Sequence, residues 1–84
     1  MIDFLEVSER LRTILYIQLK TNKIFDRDIA NALKLDPQYY AVIKKRKKIP
    51  YEAIAQFCHH HKISINWILF NQKPKLLDKN SFML

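Results

Sequence analysis

Residues 26–48 read DRDIANALKLDPQYYAVIKKRKK, and this stretch carries the clearest structural pattern of the sequence. Its first half has apolar residues at helical spacing, with Ile29 and Leu33 on one stripe. Its second half repeats the pattern more briefly, because Tyr40 and Ile43 are three residues apart and share a helix face. Five consecutive cations follow at once. The stretch therefore predicts two short helices joined by a tight turn, the second ending in dense positive charge.

The turn between these helices reads KLDP. Asp36 is a favourable N-cap, and Pro37 suits the first position of a helix. Asp26 is expected to cap the earlier helix in the same way.

The flanking segments also show helical periodicity. A first helix is predicted from about Asp3 to Lys20, with Asp3 and Glu6 spaced as in a capping box. After the second short helix, Ile49-Pro50 opens a fourth helix, and Ser64 caps a fifth. The apolar residues expected on the inner sides of these last two helices are Ile54, Phe57, Cys58, Trp67, Ile68 and Phe70.

The chain has no glycine, three separated prolines and few segments of period two. These features predict an all-α fold of five helices in one domain, residues 1–73, followed by a tail, residues 74–84. No apolar run approaches the roughly 18 residues of a membrane span. A single cysteine, Cys58, fits a reducing cytoplasm, and the predicted location is cytoplasmic, with the nucleoid.

The net charge of the 84 residues is +7, and most of it is local. Residues 20–48 hold nine cations and three acids, and so carry +6 of the total. A lysine run is most often a solvated face, but this one directly follows a short helix pair and suggests a polyanionic partner.

The helix pair matches the residue pattern of a helix-turn-helix. Ala30 is small where the second helix would cross closely, and Leu35 is the apolar residue of the turn. The pattern I-A-x-x-L-x-L followed by Y-x-x-I, the later KKIP and the segment ISINWILFN resemble the DNA-binding domain of lambda-type phage repressors, the phage CI repressor helix-turn-helix family. The resemblance covers residues 11–71.

This resemblance implies a five-helix, lambda-repressor-like domain that binds operator DNA, usually as a homodimer, and acts as a transcriptional repressor. Three positions depart from the family pattern. Lys34 and Lys47 stand where the family often has glycine, and Ile43 stands where it has tryptophan. A left-handed backbone at Lys34 would cost about 1 kcal/mol, so the turn is expected to differ in detail.

Mapped onto this chain, the motif predicts which side chains contact DNA. The predicted base-reading residues, which follow Pro37 on the groove side, are Gln38, Ala41, Val42 and Lys45. The predicted phosphate contacts are Arg27, Tyr39, Lys44, Arg46, Lys47 and Lys48. Glutamine can pair with adenine, and Ala41 and Val42 can pack on thymine methyl groups, so an A·T-leaning double-stranded operator is expected. The other interpretation is that this face is merely solvent-exposed surface.

The segment CHHHK brings potential metal ligands close together in the sequence. Cys58 and His61 share a helix face, but structural zinc needs four ligands and no second pair of ligands follows. We therefore expect no metal, no cofactor, no small-molecule ligand and no enzymatic activity. Histidines near a helix C-terminus instead suit its dipole.

Two functions remain open from the sequence. The first is a sequence-specific DNA-binding regulator. The second is a protein-interaction module, such as an adaptor or an antitoxin-like partner, which keeps the fold without DNA recognition. For a homodimer, the predicted interface is the last helix with Trp67, Ile68 and Phe70, with the tail as a further contributor; Phe70 and the tail could instead complete the core.

Overall fold

The computed structural model describes residues 2–73, which form five α-helices and no β-strand. The helices are α1 (Phe4–Leu19), α2 (Asp26–Ala32), α3 (Pro37–Lys45), α4 (Tyr51–His61) and α5 (Ile65–Phe70). The predicted all-α class is confirmed for this range, and the helix limits lie within a residue or two of those expected. The tail predicted at residues 74–84 lies outside the described residues.

One hydrophobic core receives side chains from every helix. Leu11, Ile29, Tyr40, Ile54 and Ile68 represent the five helices in it, and all are buried. Helix α1 packs against α2 and α5, α2 packs against α3, and α4 packs against α5. Helix α3 is therefore held mainly through α2, and it has a free outer side.

Two of the predicted N-caps are confirmed. The Asp36 carboxylate accepts a hydrogen bond from the Gln38 backbone N–H at 3.4 Å, and Pro37 is the first residue of α3. The Ser64 hydroxyl accepts one from the Trp67 backbone N–H at 3.2 Å. Both caps satisfy donors that have no partner within their own helix. These bonds fix where α3 and α5 begin.

The other two predicted caps are corrected. Asp3 occupies the N-cap position of α1, but its side chain makes no capping hydrogen bond, so the expected capping box with Glu6 is not formed. The N-cap of α2 is Phe25 rather than Asp26. There the Asp28 carboxylate accepts from the Phe25 backbone N–H at 2.8 Å, and Asp26 is left to make contacts outside its own helix.

Left-handed backbone occurs at the ends of all five helices, although the chain has no glycine. The residues with positive φ in the described range are Lys20, Lys34, Lys47, Lys62 and Asn71. At Lys34 and Lys47, the two positions where glycine was expected, φ is 59° and 56°. The glycine-type backbone is thus present at both, at a cost of about 1–2 kcal/mol per residue. A lysine at the end of a helix offsets part of that cost through the helix dipole.

Candidate nucleic-acid interface

Helix α3 has one buried side and one exposed side. Tyr40 and Ile43 are buried, and the Tyr40 ring lies 6.2 Å from the ring of Phe4 in α1. The exposed side holds all four predicted base-reading residues, Gln38, Ala41, Val42 and Lys45. Their spacing of three, four and seven residues places them on a single face. We call this set the α3 outer face.

Burial also changes the chemistry of Tyr40. Loss of solvent around its hydroxyl, and secondly the negative charge of Asp26, raise the pKa of Tyr40 to about 12. The side chain therefore stays neutral at physiological pH and acts as a large core residue. This agrees with the sequence interpretation, which placed Tyr40 in the core rather than at a ligand.

The cation run at residues 44–48 is exposed along its whole length. Lys44 forms an ion pair with Asp26. The Asp26 carboxylate forms a second ion pair with Arg12 of α1, with 3.4 Å between Nη2 and Oδ1. Within residues 2–73, no carboxylate lies within ion-pair distance of the other four cations. Lys45, which belongs to the α3 outer face, and the three cations that follow it therefore have no neutralising acid in the described part of the chain.

Asp26 is the contact in this region that sequence reasoning missed. It was interpreted as a cap, but its carboxylate links α2 to both α1 and α3. Its partners lie 14 and 18 residues away in the chain. Helical periodicity carries no signal for contacts of that range.

Arg27, a predicted phosphate contact, lies over the ring of Phe25 with 5.0 Å between the guanidinium carbon and the ring centroid. Lys23 lies 5.3 Å from the same centroid. Both distances are within cation–π range, so the Phe25 ring contacts one cation before α2 and one in the first turn of α2. Lys23 and Phe25 were not predicted; the available signal was an aromatic residue between two cations in the segment KIFDR.

Tyr39, another predicted phosphate contact, is exposed at the first turn of α3. It lines a hollow of about 400 Å³ together with Tyr51 at the start of α4. The Tyr51 side chain lies at the surface, on the same hollow as Tyr39.

The predicted dimer residues do not share one surface. Trp67 and Ile68 are buried in the core of their own chain, and only Phe70, 53% exposed, could meet a partner. The contribution expected from residues 74–84 lies outside the described residues.

The CHHHK segment is divided between core and surface. Cys58 is a buried free thiol, and burial raises its pKa to about 11. His59, His60 and His61 are exposed, and His61 stacks near Phe57 with ring centroids 4.5 Å apart. Among residues 2–73, no three His, Cys, Asp or Glu side chains come together in a way that could hold a metal ion.

Comparisons with protein-family models, with curated proteins and with solved structures found no match to this chain. Separately, no helix within the described range is both long and apolar enough to cross a membrane.

Proposed function

We propose that the protein is a sequence-specific double-stranded DNA-binding regulator that inserts α3 into the major groove and acts as a repressor. One observation carries the proposal: Gln38, Ala41, Val42 and Lys45 share an exposed face, and Lys45 begins a run of four cations, residues 45–48, that have no acid partner in residues 2–73. A helix that inserts into the major groove needs an exposed face to contact base edges, which lie in the groove. It also needs nearby cations to contact the phosphates that flank the groove.

The pairing of α2 with α3 supports a helix-turn-helix within this proposal. The two helices pack together and are connected by only four residues, 33–36. Ala30, the small residue expected at their crossing, is fully buried. The resemblance of residues 11–71 to lambda-type phage repressors supports the same arrangement, and a regulator of this kind would act in the cytoplasm, on the nucleoid.

The α3 outer face suits a site rich in A·T pairs. The Gln38 side-chain amide can accept a hydrogen bond from N6 of adenine and donate one to N7. Ala41 and Val42 offer apolar contact to thymine methyl groups, and Lys45 can reach guanine acceptors. Two of the four residues cannot hydrogen-bond through their side chains, so sequence discrimination depends strongly on Gln38.

Phosphates would be held by the surrounding cations and one tyrosine. The proposed set is Arg27, Tyr39, Lys44, Arg46, Lys47 and Lys48. If the five cations of this set neutralise about five phosphates, the logarithm of the binding constant falls with the logarithm of salt concentration at a slope near −4.5. A fourfold rise in salt then weakens binding roughly 500-fold.

Fluorescence anisotropy with mixed-sequence duplex DNA at several salt concentrations tests the phosphate contacts. The double variant Arg46→Gln/Lys48→Gln should lower the magnitude of the salt slope by about two. The matched control, Lys20→Gln/Lys62→Gln, removes the same charge outside the proposed face and should leave the slope nearly unchanged. Equal slopes for the two double variants would refute the assignment of these cations.

Base reading is tested by selecting bound sites from a random duplex library. The expected consensus contains A·T pairs, and Gln38→Ala should lose about 1–3 kcal/mol on it while non-specific binding stays unchanged. Gln56→Ala, an exposed glutamine on α4, is the control. Loss of affinity by Gln38→Ala for every sequence alike would contradict a base-reading role.

The protein-interaction module remains the second candidate, because Tyr39 and Val42 leave apolar surface exposed on α3. Such surface can serve a protein contact as well as a thymine contact. Failure to bind any duplex even at low salt would favour this function over DNA recognition.

A further inference from the structure

Helix α1 carries an apolar surface on the side away from the core. Leu5, Tyr16 and Ile17 are 55%, 52% and 58% exposed. Glu9 and Thr13 lie between them on the same side of the helix and are also exposed. We call these five residues the α1 outer face. Its apolar side chains are as exposed as Phe70 of α5, and unlike α5 the face runs almost the full length of its helix.

The two halves of α1 carry net charges of opposite sign. Residues 2–11 hold the acids Asp3, Glu6 and Glu9 against one cation, Arg10, for a net charge of −2. From residue 12 to the C-cap Lys20, the helix holds the cations Arg12 and Lys20 and no acid, for +2; Arg12 also forms ion pairs with Glu9 and Asp26. A second α1 laid in the opposite direction would therefore bring the acidic half of each helix against the basic half of the other. A parallel arrangement would place like charges together.

We propose that a second copy of this chain packs on the α1 outer face, with the two α1 helices antiparallel. If the twofold axis passes between the helices at the level of Leu11, a residue of one copy lies level with a residue of the other copy when their two numbers add up to about 22. Leu5 of one copy is then level with Tyr16 and Ile17 of the other, and the same contact recurs on the opposite side of the axis, as an isologous interface requires.

The surface relief of α1 fits this arrangement. Two hollows of about 320 and 360 Å³ lie on the outer side of the helix. Leu5, Glu6, Glu9, Arg10 and Thr13 line the first. Glu9, Arg12, Thr13, Tyr16 and Ile17 line the second. They are placed evenly on either side of Leu11, so in an antiparallel pair each hollow faces side chains of the other copy, as in knobs-into-holes packing.

This interface replaces the one expected on α5, where Trp67 and Ile68 are committed to the core. A contact limited to one 16-residue helix per copy is at the small end of specific interfaces, so a dimer with a micromolar dissociation constant is expected. The inference concerns the partner of the proposed regulator, but it is measured without DNA and does not rest on DNA binding.

Sedimentation equilibrium of the 84-residue chain tests the dimer. Ile17→Glu places an acid opposite the acidic half of the other copy and should weaken dimerisation at least tenfold. Ala55→Glu makes the same charge change at another exposed apolar residue, on α4, and should dimerise like the unmodified chain; far-UV circular dichroism checks that both variants fold. A monomeric unmodified chain at high micromolar concentration, or equal dimerisation of the two variants, would overturn the proposal.

Disulfide trapping tests the antiparallel direction. In the proposed pair the two Leu5 positions lie about 18 Å apart along the helices, beyond the roughly 7 Å that a disulfide allows between Cα atoms. A tagged Leu5→Cys chain mixed with a Tyr16→Cys chain should form the mixed disulfide, whereas Leu5→Cys alone should not cross-link. The unmodified chain controls for the buried Cys58. Equally fast cross-linking of Leu5→Cys with itself would refute the antiparallel pair.

The two proposals fail separately. A chain that dimerises but binds no duplex would refute DNA binding alone. A chain that binds duplex DNA but stays monomeric without it, and forms no mixed disulfide, would refute the α1 interface alone.

Discussion

Helices α3 and α5 are both short and partly apolar, but neighbouring helices cover them to different extents. Each is short, begins at a side-chain N-cap and carries several apolar residues. Yet α3 leaves Val42 at the surface, whereas α5 buries Trp67 and Ile68, and Phe70 is its one exposed large apolar residue. The number of apolar residues in a short helix therefore does not tell which of its sides is free to bind a partner.

The neighbours of each helix explain the difference. Helix α5 is packed against both α1 and α4, so two of its sides are covered. Helix α3 is packed mainly against α2, and it keeps a free side beside the cation run. A helix with one neighbour can present a binding face, and a helix between two neighbours contributes mainly to stability.

The sharpest test of this contrast is Trp67→Ala against Phe70→Ala. Removing the buried indole should lower the free energy of unfolding by about 3–5 kcal/mol, because it leaves a cavity in the core. Removing the half-exposed phenyl ring should cost less than about 1 kcal/mol. Urea unfolding followed by circular dichroism measures both. Similar losses would mean that α5 is not divided into a buried and an open side.

The buried side of α3 can be tested through pH. The hydroxyl of Tyr40 has a folded pKa of about 12 against 10 for a free tyrosine, so the folded state favours the neutral form. Its stabilising contribution is complete below pH 10 and is lost as pH rises towards 12. At pH 11 the loss should be on the order of 1 kcal/mol.

Urea unfolding from pH 8 to pH 11 measures this loss, and Tyr40→Phe should reduce it. The Cys58 thiol adds a loss of the same sign between pH 9 and pH 11, which persists in that variant. A Tyr40→Phe chain with the same alkaline dependence as the unmodified chain would contradict the burial of the hydroxyl.

The two N-caps should differ in strength. Ser64 is buried and its capping bond is 3.2 Å, so Ser64→Ala should cost about 1 kcal/mol of unfolding free energy. Asp36 is exposed and its bond is 3.4 Å, so Asp36→Ala should cost less. Thermal and urea unfolding give the two values. A larger loss at Asp36 would show that the cap of α3, rather than that of α5, is the stronger one.

The smallest expected effect concerns the left-handed residues around the same two helices. Lys34→Gly, in the turn before α3, should raise the unfolding free energy by about 0.5–1 kcal/mol, since glycine adopts positive φ without steric cost. Asn71→Gly, after α5, should gain less because asparagine already tolerates this conformation. Denaturant midpoints compare the two, and destabilisation by Lys34→Gly would mean that the lysine side chain itself stabilises the turn.

Much of the fold could be predicted from sequence. Helical spacing located all five helices, and residues with strong local preferences, such as Asp36, Pro37 and Ser64, marked where two of them begin. The spacing of Tyr40 and Ile43 also fixed which side of α3 is buried. These features depend on interactions within a few residues, which a sequence pattern records directly.

The remaining features depend on distant neighbours. Periodicity in the six-residue α5 could not show that Trp67 and Ile68 are both covered, because that depends on α1 and α4. The role of Asp26 depends on Arg12 and Lys44, far along the chain. Leu5 and Ile17 on α1 are exposed because the opposite side of that helix fills the core, and which side fills the core depends on the helices packed against it.

The ion pairs of Asp26 connect the stability of the fold with the positive charge on the proposed DNA face. Its carboxylate holds α1, α2 and α3 together, and it also withdraws one lysine charge from the proposed DNA face. Replacing it with asparagine should free Lys44 for a phosphate while loosening the junction of the three helices. Tighter operator binding and greater thermal resistance would then be competing goals at a single position of this chain.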